Sequence, residues 1–226
     1  MTSSVPPDVR SGTLYGRSRS VVRRLLLLLA RPSTGLRIEG LHHVPATGPV
    51  IVVANHLHNA DPVLLAIAFP RALYVMAKRE LFASWWLSKA LHIAGAFPVD
   101  RGKADRNAIR YAEAALAQGQ AVAMFPEGTR SESGRLGLGQ PGVGLIALRT
   151  GAPILPVAIT GTEQLPGNGS KHPPGETSRR QVCIRFGIPF HLPKIDQSRG
   201  QTSKVATDRI MAEIAALLPP RYRSQA

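Results

Sequence analysis

The chain has 226 residues, which is enough for one domain with a substantial core and at most a small appendage. Its single cysteine, Cys183, excludes an intramolecular disulfide and a multi-cysteine metal site. A net charge of +14 indicates an anionic partner, whether phosphate, nucleic acid or a membrane surface, without saying which.

The N-terminal part divides into two segments. Residues 1–18 are rich in Ser, Pro, Gly and Arg and lack periodicity, so we predict a mobile basic tail. The leucine run within residues 19–33 predicts a short apolar helix, much shorter than the roughly 20 apolar residues that span a membrane. No small-residue cleavage site follows it, which argues against a signal peptide. Such a helix either lies in a membrane interface or packs on the domain, and the sequence leaves both open.

A buried strand followed by polar residues is the next feature. Val50–Ala54 is an unbroken apolar run, typical of a strand covered on both faces, and Asn55 and His56 come directly after it. Asp61 follows, and Pro62 favours the start of a helix there. A carboxylate that accepts one imidazole N–H leaves the other ring nitrogen to take a proton from a substrate hydroxyl. We therefore predict His56 as a general base oriented by Asp61. The alternative is that His56 only closes the strand and Asp61 only caps the helix.

A second polar cluster follows the apolar run 121–125. The segment Glu127–Arg130 supplies a carboxylate, a glycine that lets the backbone approach a ligand, a hydroxyl and a guanidinium. Arg130 can bind a phosphate through two parallel hydrogen bonds, and Arg101 can do the same from the turn after a strand near 95–100. Together they indicate an anionic, hydroxyl-bearing substrate. Taken singly, each arginine also fits a solvent-exposed surface, and Glu127 also fits a salt bridge.

Strands that alternate with helices predict a single α/β domain over residues 34–218, followed by a C-terminal tail at 219–226. We expect a mixed, mostly parallel central sheet flanked by helices. Strands are predicted at 36–40, 50–54, 73–77, 95–100, 121–125, 153–159 and 181–186, and helices at 61–68, 81–93, 104–117, 143–148 and 203–218.

Four blocks of this sequence resemble, in order and spacing, those of the glycerolipid acyltransferases, and most closely the bacterial 1-acylglycerol-3-phosphate acyltransferases that make phosphatidic acid. The resemblance covers roughly residues 36–190, and the third block is the most specific. The blocks are Asn55-His56 with Asp61, Gly95–Gly102, Phe125–Ser131 and Pro153–Val157.

The resemblance implies roles for individual residues. The catalytic base and its orienting carboxylate fall on His56 and Asp61, and Asn55 and Pro156 are supporting residues, with the block around Pro156 shaping the acyl or acceptor pocket. Glu127 is expected to orient an arginine or a substrate hydroxyl rather than to act as a second base. The residues expected to bind the acceptor phosphate and glycerol are Arg101, Glu127, Gly128, Thr129 and Arg130.

The resemblance also implies a reaction. The acyl group would pass directly from an acyl-CoA or acyl carrier protein thioester to a lysophospholipid, without a covalent acyl-enzyme, a metal or another cofactor. We expect the enzyme to lie on the cytoplasmic face of the cell membrane as a peripheral or monotopic protein, in contact with an anionic membrane surface, with acyl carrier protein as a candidate partner. The sequence Leu57–Ala60 between His56 and Asp61 departs from many relatives, which leaves the acceptor open, and a lyso-ornithine lipid or a glycolipid is an alternative.

Three other classes of protein are alternatives that the sequence argues against. His56, His58 and Asp61 loosely resemble a binuclear zinc loop, but the aspartate is one residue late and Pro62 stands where a histidine is needed. A serine hydrolase lacks its Gly-x-Ser-x-Gly elbow. A basic nucleic-acid-binding domain fits the charge, but the sequence lacks zinc spacing, an RNA-recognition signature and aromatic residues among the basic ones.

Overall fold

The structure is a computed structural model and describes residues 14–78, 96–99, 106–166, 181–192 and 202–224. The predicted helix at 81–93 and Arg101 lie outside these residues. The strands are β1 (Arg37–Glu39), β2 (Val50–Ala54), β3 (Leu73–Lys78), β4 (Ala96–Val99), β5 (Ala121–Met124), β6 (Ile154–Thr160) and β7 (Cys183–Phe186). The helices are α1 (Leu14–Thr34), α2 (Asp61–Ala68), α3 (Arg106–Ala117), α4 (Pro141–Thr150) and α5 (Ser203–Leu217).

The strands of the described residues form one sheet in the order β1-β7-β6-β2-β5-β3-β4. Strand β2 lies between β6 and β5 and is parallel to both. Strand β7 runs antiparallel to β6, and β1 pairs with β7 in parallel. The predicted fold class, an α/β domain with a mixed and mostly parallel sheet, is therefore confirmed.

Strand β2 is buried on both faces because helices cover both sides of the sheet. Ile51 and Val53 pack in a cluster with apolar residues of α3, α4 and α5. Val50, Val52 and Ala54 pack in a second cluster with residues of α2 and with part of α1. This two-sided burial is why β2 reads as a continuous apolar run rather than as an alternating one.

Helix α1 begins at Leu14, inside the segment that we predicted as a tail. It packs on the domain through Leu27 and Ala30, which contact the apolar cluster around α2. The Arg23 guanidinium also donates to the Ile67 carbonyl oxygen at 3.3 Å, at the end of α2. One side of α1 thus packs on the domain, which is one of the two alternatives that the sequence left open.

Another side of α1 carries uncovered leucines. Leu25 is 56% exposed and Leu28 is 66% exposed, and Leu26 is exposed as well. Among the described residues, no helix has the length and apolar character needed to cross a membrane. The helix therefore combines a face that packs on the domain with an apolar face turned away from it.

The carboxyl ends of β2, β5 and β6 lie side by side because the three strands are adjacent and parallel. The segments that follow them are 55–60, 125–140 and 161–166, and these meet at one edge of the sheet. Strand β4 ends at the same edge, since it is parallel to β3 and β3 is parallel to β5. This edge is where open α/β sheets bind their ligands.

The C-terminal residues differ from the predicted tail at 219–226. Pro220–Tyr222 forms a 3₁₀ turn, and the side chain of Tyr222 is buried in the cluster that contains α4 and α5. The segment is part of the domain because this aromatic side chain has a place in the core.

Candidate active site

His56 and Asp61 meet directly at the end of β2. The Nδ1 atom of His56 lies 2.9 Å from Oδ2 of Asp61, and the side chains are 2% and 0% exposed. A carboxylate only accepts hydrogen bonds, so Nδ1 carries the hydrogen and Nε2 is left as the acceptor nitrogen. The two side chains meet, as the sequence predicted, and the role of His56 as a general base stays a prediction.

Asp61 is held by the loop that precedes it. Its Oδ2 also accepts the backbone N–H groups of Leu57 at 2.6 Å and of His58 at 2.7 Å. The prediction that Asp61 caps α2 is wrong by one residue, because Ala60 is the N-cap and Asp61 is the first residue of the helix. Its side chain turns back to the loop, where three donors converge on one oxygen, instead of forward to the helix.

The segment after β5 holds the backbone of His56 on both sides. The His56 N–H donates to Oε1 of Glu127 at 2.8 Å. The His56 carbonyl oxygen accepts from the N–H of Ser131 at 2.7 Å. The Phe125 ring lies against the imidazole, with 4.4 Å between the ring centroids. The two predicted polar clusters are therefore one structural unit.

Glu127 has a different set of partners from the expected one. Its second carboxylate oxygen, Oε2, accepts the N–H of Gly137 at 2.8 Å, so each oxygen accepts from a backbone amide. Burial raises the pKa of this carboxyl, while the two N–H groups and the nearby Asp61 act as smaller influences. We expected Glu127 to orient an arginine or a substrate hydroxyl, but its observed hydrogen bonds instead fix the loop that carries His56.

The remaining residues of this segment lie nearer the surface. Gly128 has a φ of +71°, in the left-handed region that favours glycine, and its N–H donates to the Phe125 carbonyl oxygen at 3.0 Å. Thr129 is exposed and Arg130 is half-buried. The Arg130 guanidinium is close enough to His58 to contribute to the lowering of its pKa, after burial. Arg130 therefore lies on the same side of the molecule as the His56–Asp61 pair.

Asn55 ties the end of β2 to β6. Its Nδ2 donates to the Ile159 carbonyl oxygen at 2.8 Å, and its Oδ1 accepts the Ile159 N–H at 2.7 Å. The side-chain amide thus pairs with the backbone of β6 as a neighbouring strand would. Pro156 is elsewhere: it is paired with Val53 inside the sheet, and its carbonyl oxygen accepts from Gly187 at 2.8 Å. Asn55 thus lies directly beside His56, Pro156 is buried within β6, and the supporting role of each stays a prediction.

Sequence reasoning missed His58 as a structured part of this loop. The side chain is buried, and its Nδ1 accepts the N–H of Ala60 at 3.0 Å. Burial lowers the pKa of His58, which favours the neutral ring. The signal for it in the sequence is a histidine two residues after His56, which the loose resemblance to a zinc loop treats as a metal ligand. No group of three or more His, Cys, Asp or Glu side chains in the described ranges is arranged to hold a metal ion.

Most of the domain, including both polar clusters, is similar to known proteins. Residues 35–160 match the family model described as Acyltransferase. The chain is 32% identical over 173 residues to a 1-acyl-sn-glycerol-3-phosphate acyltransferase of Streptococcus pneumoniae, which covers 74% of this chain and 60% of that protein. It is 34% identical over 144 residues to the alpha form of the same enzyme from Mus musculus, covering 62% of this chain and 50% of the relative.

A solved structure has the same fold. The crystal structure of the 1-acyl-sn-glycerophosphate acyltransferase of Thermotoga maritima superposes with a TM-score of 0.63 at 24% identity, covering 90% of this chain and 83% of the other. The curated relatives are longer, since the chain spans 60%, 50% and 46% of the first three that it matches. The family model covers more than half of the chain and includes both polar clusters of the site, so the chain belongs to the acyltransferase family.

Proposed function

We propose that this protein is an O-acyltransferase that moves a fatty acyl group from an acyl thioester to the free hydroxyl of 1-acylglycerol-3-phosphate, giving phosphatidic acid. The observation that carries the proposal is the buried His56–Asp61 pair at the carboxyl edge of the sheet, with Arg130 on the same side. The names of the curated relatives support the choice of acceptor. Acyl-CoA or an acyl carrier protein thioester would be the co-substrate, and the proposal requires no other cofactor.

The transfer would proceed in one chemical sequence. Nε2 of His56 takes the proton of the acceptor hydroxyl while Asp61 stabilises the imidazolium that results. The alkoxide oxygen attacks the thioester carbonyl carbon, and a tetrahedral intermediate forms. The intermediate collapses as the C–S bond breaks, and the thiolate takes the proton from His56. The new C–O ester bond needs no acyl-enzyme.

The acceptor phosphate would be bound at the rim of the site. Arg130 offers a planar guanidinium for two hydrogen bonds to phosphate oxygens, and Arg101 follows a strand that ends at the same edge. The exposed backbone at Gly128 and the hydroxyl of Thr129 would complete the binding site. We assign Glu127 to positioning of the His56 loop rather than to phosphate, because both of its oxygens accept from backbone amides.

The protein would meet its lipid substrate at the cytoplasmic face of the cell membrane. The exposed leucines of α1, with the exposed Arg24 and Arg31 on the same helix, form a surface suited to an anionic bilayer interface. Apolar side chains would enter the interface while the arginines contact lipid phosphates, a contribution of about 1 kcal/mol for each basic residue.

A matrix of donors and acceptors tests the proposal. Purified protein is assayed with acyl-CoA and acyl carrier protein thioesters against 1-acylglycerol-3-phosphate, a lyso-ornithine lipid and a lysoglycolipid. We expect turnover with 1-acylglycerol-3-phosphate to exceed that with the other acceptors and to be lost in His56→Ala. His191→Ala, at an exposed histidine away from the site, is the control that should keep full activity. Preference for another acceptor would overturn the substrate, and wild-type turnover by His56→Ala would overturn the mechanism.

A further inference from the structure

A C-terminal tyrosine is built into the edge of the sheet that carries the site. Tyr222 is 4% exposed and belongs to the 3₁₀ turn after α5. Its hydroxyl donates to Oε1 of Glu163 at 2.7 Å and accepts the N–H of Gly161 at 3.1 Å. Burial, followed by the hydrogen bond with Glu163, raises the pKa of Tyr222 to about 12, so the phenol stays protonated.

The backbone of the same residue reaches the segment that supports Glu127. The Tyr222 carbonyl oxygen accepts the N–H of Leu136 at 2.8 Å, and the Ser224 hydroxyl donates to the Leu136 carbonyl oxygen at 2.5 Å. The next residue, Gly137, donates its N–H to Glu127, whose other oxygen accepts from His56. Leu136, Gly137 and Glu127 thus connect the turn to the backbone of the proposed base.

The side chain of Tyr222 contacts the end of β6, on the other side of His56 from Glu127. Gly161 follows β6 directly, two residues after Ile159, and Ile159 exchanges two hydrogen bonds with Asn55. Gly161 has a φ of +83°, and a β-carbon there would collide with the Gln181 carbonyl oxygen, so the neighbouring backbone packs directly on this turn. The tyrosine hydroxyl is therefore anchored on a closely packed turn.

These contacts close a ring around His56. One arm runs from Tyr222 through Leu136–Gly137 and Glu127 to the His56 N–H, and the other runs through Gly161 and β6 to Asn55, the residue before His56. A general base must be held within a fraction of an ångström of the hydroxyl that it deprotonates, because a misplacement of 1 Å from a remote change can cost ~100-fold in rate. The hydrogen bonds of the ring are buried or partly buried, which suits them to hold the His56 backbone in place.

We propose that Tyr222 is a positioning residue for the acyl transfer, which fixes the Glu127 segment to the end of β6 and thereby sets the position of His56. The proposal rests on the proposed function for its catalytic readout. It assigns no contact with substrate to Tyr222. It predicts that loss of the hydroxyl changes the rate of the chemical step more than the binding of either substrate.

The test is Tyr222→Phe, which removes the hydroxyl and keeps the ring in the core. We expect kcat to fall about 10-fold, with KM for acceptor and donor changed less than about two-fold, in protein shown to be folded by circular dichroism. Tyr74→Phe, at a half-buried tyrosine of β3, is the control and should keep the wild-type kcat. Glu163→Ala removes the acceptor of the same hydrogen bond without touching the core ring, and it should reproduce the effect if Tyr222→Phe fails to fold.

Two further measurements separate positioning from a general loss of stability. In a double-mutant cycle, Tyr222→Phe should add little to the loss of kcat in Glu127→Gln, because each opens the same ring, Glu127→Gln in one arm and Tyr222→Phe in the other. Amide hydrogen exchange of the segment 55–61 should be faster in Tyr222→Phe than in Tyr74→Phe. Independent, multiplicative effects on kcat, or unchanged exchange in 55–61, would overturn the proposal. Since exchange needs no substrate, it gives a result even if the proposed acyl transfer is not observed.

Discussion

His56 donates its Nδ1–H to Oδ2 of Asp61 at 2.9 Å, and this same oxygen accepts the backbone N–H groups of two residues between them. One oxygen therefore both orients the imidazole and shapes the loop. The other oxygen, Oδ1, is buried and has no hydrogen-bond partner among the described residues. Substitutions of Asp61 can separate these two tasks.

Asp61→Asn is the variant that separates charge from shape. An asparagine oxygen in place of Oδ2 can still accept the hydrogen bonds of the loop, but it lacks the negative charge that stabilises a protonated His56. We expect kcat/KM to fall by about 10²–10⁴ while the thermal unfolding midpoint changes little. Asp208→Asn, at an exposed aspartate of α5, is the control. Near-wild-type kcat/KM in Asp61→Asn would show that the reaction does not need the negative charge of Asp61.

The buried Glu127 carboxyl makes stability depend on pH with a definite sign. Burial raises its pKa, so the folded protein binds more protons than the unfolded chain between the two pKa values. The contribution of Glu127 to the free energy of unfolding is then complete below the unfolded pKa and falls as the pH rises through the folded pKa. We expect the free energy of unfolding of the protein, minus that of Glu127→Gln, to decrease as the pH rises above the ordinary glutamate range. Urea unfolding at a series of pH values measures it.

A matched variant controls that experiment. Glu213→Gln changes a glutamate on α5 whose partner is Arg209 on the same helix. We expect it to show no such decrease. If the difference for Glu127 grew with pH instead, the hydrogen bonds from His56 and Gly137 would outweigh burial, and the direction assigned to its pKa would be wrong.

Arg130 should act on acceptor binding. A hydrogen bond to a charged group contributes about 1.5–3 kcal/mol, so we expect Arg130→Ala to raise KM for the lysophospholipid about 10- to 100-fold with a smaller change in kcat. Arg130→Lys should recover only part of this, because an ammonium lacks the planar fork of a guanidinium. Steady-state kinetics at fixed donor concentration measures both variants, with Arg110→Ala on an exposed face of α3 as the control. An unchanged acceptor KM in Arg130→Ala would place the phosphate elsewhere.

The Asn55 side chain should matter for stability as well as for rate. Asn55→Ala leaves the N–H and carbonyl groups of Ile159 without their partner in the interior, at a cost of about 1–3 kcal/mol for each unsatisfied group. We expect the free energy of unfolding to fall by that order and kcat to fall with it. Asn59→Ala, at an exposed asparagine of the same loop, should leave both unchanged. Equal stability of the two variants would mean that solvent replaces the amide of Asn55.

The exposed leucines of α1 allow a test of the proposed membrane contact. We expect Leu25→Gln with Leu28→Gln to weaken binding to vesicles that contain anionic lipid, by about 10²-fold or more, since full burial of each leucine is worth about 1.5–3 kcal/mol. The unfolding midpoint should stay the same, because neither side chain is covered in the fold. Ile188→Gln, at a residue that is 71% exposed outside α1, is the control. If the double variant and the wild-type protein co-sediment with vesicles equally, the exposed leucines of α1 are not the membrane-binding surface.

The central strands could be predicted from sequence because their environment is uniform. Val50–Ala54 is apolar on both faces of the sheet, and the structure confirms its limits. The order of the strands has no comparable local signal, since it depends on the path of each connection. The direction of β7 is an example: an alternating pattern over 181–186 predicts a strand and says nothing about pairing antiparallel to β6.

The site was partly predictable for a similar reason. A histidine directly after a buried strand and an aspartate at the start of the next helix predict a pair, and the two side chains do meet. The role of Glu127 could not be predicted from sequence. Its partners are backbone amides, which nearly every residue has, so no residue type marks them. The sequence predicts a tail at 219–226, and a single aromatic residue among prolines and arginines has no periodicity that would place Tyr222 in the core.

The register of β2 also bears on how the molecule assembles. Val50 pairs with Ala121 on one side, and Ile51 pairs with Ile154 on the other, so this strand has no neighbour that is close along the chain. A contact between distant positions forms only after the long chain segment between them has lost conformational entropy. Such contacts therefore slow folding. The strand that leads into His56 is therefore expected to be among the later parts to consolidate, and competence for chemistry should appear only near the end of refolding.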